Sequence, residues 1–275
     1  MTAIALADTL TMLRRSLRRM RRYPSLTLFI AGIPVVLMLL FVYVFGGTLG
    51  AGLGRSAAGP LGGTAAASVD RAAYLAYVVP GILLIGVAGA GQGTAISVAM
   101  DMTAGIIARF RTMAIGRSSV LAGHILGSVV QTLLATAIVV LVALVIGFRP
   151  TTGPLEWLGA ALLLALAAVA VSALCVALGL AANSVETASN SPMFLTLLPF
   201  LGSGFVPAAS TPGPLRWFAE NQPFTPLNEA LRGLLLGTPI GGTGLLAVAW
   251  CAGVAALGLI WALRLYERLP VRVGG

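Results

Sequence analysis

Residues 98–122 read VAMDMTAGIIARFRTMAIGRSSVLA. A short basic segment carrying Arg109, Arg111 and Arg117 separates two long apolar runs, 77–99 before it and 120–146 after it. Each run supplies the roughly 20 apolar residues that an α-helix needs to cross a bilayer. Arginines between two spans are held on the cytoplasmic side. A basic turn in that place is a surface on which a soluble partner can push.

The rest of the chain agrees with a membrane reading. Of 275 residues, 58% are hydrophobic and 9% are charged, with mean hydropathy +0.99. A soluble domain of this size carries roughly 25% charged residues, so most of this surface must face lipid. The net charge of +9 would suggest nucleic acid in a soluble protein. Here the charges flank apolar runs, where they set topology, and no nucleic-acid partner is expected. Cys175 and Cys251 both fall inside expected spans and read as small packing residues.

Outward from the connector, the pattern predicts an all-α integral membrane protein with six transmembrane helices. The spans are expected at about 25–45, 74–100, 120–147, 157–182, 192–207 and 245–265, in a single domain over 1–275. Ahead of them, 9–22 places Leu10, Leu13, Leu17 and Met20 on one helical face and six arginines mostly on the others. That is an amphipathic helix lying along the inner leaflet, although the same charges serve topology alone. The apolar stretch 25–45 is too long for a usual signal-peptide core and is read as retained. The stretch 208–242 mixes proline turns with two apolar pieces too short to cross, which suggests an outer re-entrant hairpin. Twelve arginines fall on one side of this scheme and five on the other, which puts both termini in the cytoplasm.

Several chemistries have no residues to carry them. There is no GxxxxGK[ST] phosphate loop, no His/Cys/carboxylate cluster at metal spacing, and a single histidine, His124. No catalytic residue, bound cofactor or metal is expected. Few charges lie deep in any span, unlike an ion-coupled pump with a carboxylate relay. An ion-coupled secondary transporter would also show inverted repeats. A non-transport scaffold would leave the basic connector without a partner. Gln92, Gln131, Thr132 and Thr136 are polar at membrane depth, placed either to line a pathway or to bond a neighbouring helix. Gly86, Gly89, Ala90 and Gly93 form a small-residue stripe suited to a dimer contact or to packing within the subunit.

The connector resembles that of the ABC type-2 exporter permeases of the daunorubicin/doxorubicin-resistance type. Asp101, Gly105, Arg109, Phe110, Arg111, Arg117, Ser118, Leu121 and Gly123 fall on that family's pattern in register. YLAYVVPGIL (74–83), GFRPTTGPL (147–155) and FVPAASTPGPLRWFAENQPFTPLNEALRGLLLG (205–237) are similar to further family segments in the same order. Ala114 departs from a frequent proline, and His124 from a frequent Arg or Lys.

The resemblance implies a permease subunit without intrinsic ATPase activity, working beside a separate ABC ATPase subunit present in two copies that holds ATP and Mg. It also implies a second permease copy, as homodimer or homologous heterodimer, in the bacterial inner membrane. The coupling element is expected at 99–117, through Asp101, Gly105, Arg109, Phe110, Arg111 and Arg117, with Glu186 as a second contact. The amphipathic segment would be the family's elbow helix. An outer hairpin with Glu220, Asn221, Glu229 and Arg232 would cap the exit, Glu229 and Arg232 forming an i,i+3 pair. The cargo would be a hydrophobic or amphiphilic small molecule, drug-like or lipid, exported from the cytoplasm or inner leaflet.

Overall fold

A computed structural model of the chain describes residues 2–22, 24–46, 64–106, 117–205 and 212–268. Those residues form helices and connecting turns. In chain order the helices are α1 (Thr2–Arg22), α2 (Pro24–Leu40), α3 (Thr64–Thr103), α4 (Arg117–Ile146), α5 (Pro154–Ala181), α6 (Val185–Asn190), α7 (Met193–Leu197), α8 (Gly213–Asn221), α9 (Phe224–Leu236) and α10 (Thr243–Arg268). A π-helical turn, Phe41–Phe45, extends α2, and a 3₁₀ turn, Leu198–Leu201, follows α7.

Among the described residues, five helical stretches are long and apolar enough to cross a membrane: Thr27–Phe45, Arg71–Thr103, Ser119–Ile146, Pro154–Ala181 and Thr243–Arg268. The segment expected as a fifth pass, 192–207, is built differently. It makes one short helix, the 3₁₀ turn and bends as far as Phe205. Pro192 and Pro199 remove backbone donors there, and Gly202 and Gly204 supply no helix-stabilising side chain. The broken piece still runs along α3. Gln92 of α3 donates to the Ser189 carbonyl, and a Cβ at Gly81 would lie 2.9 Å from the Gly204 carbonyl oxygen. The two chains are therefore antiparallel neighbours over this distance.

α5 is the centre of the bundle, packed between α10 and α3. Lipid gives apolar helices no hydrophobic reason to associate, so close backbone approach decides. Gly258 of α10 meets the backbone of Ala173 and Leu174, and Gly179 of α5 meets Ala95 of α3. Three members of the small-residue stripe of α3 pack within the subunit, while Gly89 meets nothing within 4 Å. Gly86 faces Pro34 and Thr136, Gly93 faces Ile30, and Ala90 is buried with Ile30, Ala31 and Ala135. On the far side Leu162, Leu245 and Leu257 are exposed, and Val145 is 83% exposed, as a lipid-facing belt requires.

The helix ends are set locally. Gly105, at φ +68°, turns the chain out of α3 toward the basic connector. At the other end of α4, Gly147 at φ +120° lets the Phe148 N–H reach the Ala143 carbonyl. The Phe148 ring then drops into the core.

Candidate functional site

Among the described residues, three polar groupings, one at each end and one beside a cleft, interrupt this apolar bundle, together with a buried hydroxyl hub. The first lies where α1, α3 and α4 meet. Asp101, in the last turn of α3, is 5% exposed. Its Oδ1 accepts from Arg15 Nη2 at 3.1 Å, and its Oδ2 lies 3.4 Å from His124 Nε2. One turn away, Arg19 Nη1 donates to Ser97 Oγ at 2.8 Å. The spacing explains the pairing, since residues four apart share a helix face and both helices present such a pair. A Cβ on Gly123 would overlap Met12, and one on Gly127 would lie 2.5 Å from Ser16 Oγ. Two glycines thus seat α1 in the groove between the end of α3 and the start of α4.

Asp101 was expected to face a soluble partner, but its carboxylate is turned into the protein. Arg109, Phe110 and Arg111 lie outside the described residues. Arg117 opens α4, and Gly105 forms the turn already noted. Glu186 is exposed in the first turn of α6. Its own backbone N–H and then the Ser184 hydroxyl hold its carboxyl below the usual carboxylate value. Ser184 also caps the helix by accepting from the Thr187 N–H.

The second grouping borders a cleft of about 270 Å³ between α2, α3 and the 185–201 segment. Phe29, Ile33, Ile85 and Ile96 give it apolar walls, and Gln92, Ser189 and Thr196 give it polar points. Gln92 Nε2 is committed to the Ser189 carbonyl at 2.7 Å. The buried hydroxyl of Thr196 has no hydrogen-bond partner in the protein. The other polar residues expected on a pathway are placed elsewhere. Thr132 and Thr136 are buried and bond back to the Ser128 and Thr132 carbonyls of their own helix. Gln131 reaches toward Thr27 Oγ1 at 3.5 Å and borders a separate cavity beneath α1.

A buried hydroxyl hub escaped the sequence reading. Ser128 Oγ accepts from Thr94 and from Ser172, each at 2.7 Å, joining α3, α4 and α5. Ser128 shares a helix face with Thr132 and Thr136, but nothing in that spacing says which neighbouring helices its hydroxyl meets.

The third grouping lies at the opposite end of the bundle. α9 is largely buried, whereas α8 exposes Leu215, Trp217 and Phe218. Arg232 of α9 does not close an ion pair with Glu229. Its guanidinium stacks 3.9 Å from the Tyr77 ring centroid and donates to the Ser203 carbonyl at 2.9 Å and the Tyr77 carbonyl at 3.3 Å. Burial lowers the affinity of Arg232 for its proton, while Tyr77 and Glu229 pull the other way. The Tyr77 hydroxyl donates to the same Ser203 carbonyl. Asn228 and Gln222 bond to Ser203 Oγ and the Leu198 carbonyl. Glu220 pairs with Arg216 at 2.7 Å on the exposed helix, and Asn221 donates to the Trp217 carbonyl.

A chain with these apolar spans and polar junctions matches the family model described as ABC-2 type transporter over residues 7–236. The chain belongs to that family. It is 29% identical over 266 residues to the daunorubicin resistance ABC transporter permease protein DrrB1 of Streptomyces coeruleorubidus, covering 96% of this chain and 88% of the relative. It is 26% identical over 185 residues to the probable doxorubicin resistance ABC transporter permease protein DrrC of Mycobacterium tuberculosis, covering 66% of each. As an ABC-2 permease it is the membrane subunit of an ABC transporter, and ATP hydrolysis belongs to a separate ATPase subunit. The match begins within α1 and ends at α9, so it takes in all three polar groupings.

Proposed function

We propose that this permease exports a hydrophobic or amphiphilic small molecule, drug-like or lipid, across the bacterial inner membrane. The cleft between α2, α3 and 185–201 carries this reading. Apolar walls with a few polar points suit an amphiphile, and neither a charged relay nor a metal cage borders it. The names of the two relatives support a drug-like cargo. Two copies of the chain, or this chain with a homologous partner, would bring two such clefts together, with the exposed side chains Phe29, Ile33, Val36 and Phe194 between them. The broken segment 192–205, antiparallel to α3, serves as the sixth crossing, with both termini cytoplasmic as the arginine distribution requires.

Two ATPase copies, holding ATP and Mg, would dock against 99–117 from the cytoplasm. Arg109 and Arg111 supply charge-assisted donors around Phe110 as an aromatic anchor. Gly105 and Arg117 mark the ends of that element, Asp101 anchors its base to α1, and exposed Glu186 is a second contact. The α8–α9 hairpin dips in from the outer surface and closes the exit through Arg232. The test is co-expression with candidate ATPase subunits, reconstitution in liposomes, and measurement of ATP hydrolysis and dye movement. With Arg109→Ala and Arg111→Ala together, co-purification and transport should collapse while insertion persists. Transport driven by a proton or sodium gradient without any ATPase would overturn the reading.

A further inference from the structure

The broken segment 193–198 has a cavity on each flank. Thr196 borders the proposed cargo cleft, whereas Phe194, Leu195 and Leu198 border a second cavity of about 210 Å³. The two share no lining residue. The space originates in the sequence. Ala167, Ala170, Val171 and Leu174 recur at three- and four-residue spacing, so they share one face of α5. The two alanines leave that face low, and the facing helix, α7, ends at Leu197 instead of continuing across it. Phe224 and Leu227 of α9 and Trp250 of α10 border the gap without filling it.

No charged, hydroxyl or amide side chain lines this cavity, and Trp250 and Cys251 carry its only side-chain heteroatoms. Water needs two to four polar partners to occupy a cavity, and an apolar one of roughly 150 Å³ stays dry yet accepts a hydrocarbon. The space also lies at hydrocarbon depth. Trp250 is seven residues after Thr243 and Leu174 is seven before Ala181, the closest approaches of the α5 and α10 lining to a helix end. Seven residues of helix are about 10 Å. The two helices, of 28 and 26 residues, are about 42 and 39 Å long, against a hydrocarbon core of about 30 Å. Phe194 and Trp250, both partly exposed, carry the lining out to the surface of the bundle. At that depth the surface meets acyl chains.

We infer that this cavity holds an acyl chain of a bilayer lipid, taken in past Phe194 and Trp250 and without selection for the headgroup. Lipid is as apolar as the lining, so desolvation is not the gain. An unfilled cavity forfeits the dispersion contacts of every side chain around it, and a flexible hydrocarbon chain restores them. A charged or hydrogen-bonding ligand finds no partner there. The chain supports the 193–198 segment on one flank while Thr196 borders the cargo cleft on the other, so the lipid steadies one wall of that cleft. The site itself stands without the cargo reading and without the ATPase. Phe194 is also on the face that would meet a second copy, and a copy seated there is the rival occupant.

Quenching of tryptophan emission by brominated lipid tests it. The chain has four tryptophans. One form keeps only Trp250, through Trp157→Phe, Trp217→Phe and Trp261→Phe. A second keeps only Trp261, which is partly exposed on the same helix and outside the cavity. Each is titrated as the full chain in detergent micelles with phosphatidylcholine brominated midway along its acyl chains. Trp250 should quench saturably, at about one tenth of the lipid fraction that Trp261 needs, a preference worth about 1.4 kcal/mol. Phosphatidylglycerol with the same chains should give the same curve. Ala170→Leu and Ala167→Leu, which fill the cavity with protein, should each remove the saturable part, and melting in the same micelles shows whether the variant is folded. Parallel quenching of the two tryptophans, a dependence on headgroup, or saturable quenching in a folded filled variant would each overturn the inference. So would a Trp250 that added lipid leaves bright, the result if a second copy covers the cavity.

Discussion

Arg15 and Asp101, 86 positions apart in sequence, meet at 3.1 Å where the first helix enters the bundle. Asp101 is buried and Arg15 is half-exposed, so the pair joins a solvated cation to an enclosed carboxylate. It fixes α1 beside the start of the segment that leads into the basic connector. Any push on that connector is transmitted to a helix already pinned to α1.

The Arg15–Asp101 bond should be measurable as a coupling. Solvent on the Arg15 side discounts the pair well below a fully buried one, so Asp101→Asn is expected to cost about 1–2 kcal/mol. Arg15→Gln in the Asp101→Asn background should then add little. Thermal unfolding of the four members of the cycle in one detergent gives the answer, and simple additivity would show that the two groups act independently.

Ser128 should behave as a hub. Ser128→Ala leaves the Ser172 hydroxyl without its acceptor, while Thr94 keeps the Ala90 carbonyl at 3.1 Å, so the expected cost is about 1–2 kcal/mol. Replacing all three, by Thr94→Val, Ser128→Ala and Ser172→Ala, removes donors and acceptor together and should restore most of that loss. A triple variant less stable than Ser128→Ala in the same melting assay would contradict the hub.

Gly81 and Gly89 lie on one helix yet should respond oppositely to a side chain. A Cβ at Gly81 would stand 2.9 Å from the Gly204 backbone, whereas one at Gly89 meets nothing within 4 Å. Gly81→Val is expected to destabilise by about 1–3 kcal/mol through overpacking. Gly89→Ala should be neutral or slightly stabilising. The melting temperatures of the two variants check this, and equal shifts would mean that the 81–204 contact does not hold the helices together.

Arg232 should not tolerate lysine. Its Nη2 donates to both backbone carbonyls while the flat guanidinium lies on the Tyr77 ring, and an ammonium that kept both bonds would have no planar face to stack there. Arg232→Lys and Arg232→Ala should both raise protease sensitivity in the 206–237 region of intact liposomes, by several-fold. If lysine protects as well as arginine, charge alone holds the hairpin.

By itself the sequence determined that this is a helical membrane protein, where four long spans and the last one run, and that a short-helix hairpin precedes that last span. Those conclusions need only the length of apolar runs and the spacing of turn residues, both of which are local. The 192–207 segment shows the limit of that logic. Its mean apolarity reads as a span, while two prolines and a glycine-rich end break the helix. What it becomes is then set by the α3 surface against which it lies. Only the tertiary structure decided which polar groups bond to one another. Asp101 reads as part of the connector because it ends an apolar run just before the basic segment, but its partners come from α1 and α4. Arg232 reads as an i,i+3 partner of Glu229, but in low dielectric two backbone carbonyls and an aromatic face on another helix compete better. Ser128 falls on a stripe with Thr132 and Thr136, yet its bonds to Thr94 and Ser172 were not legible, because a hydrogen bond between helices depends on rotation and depth, which only packing fixes.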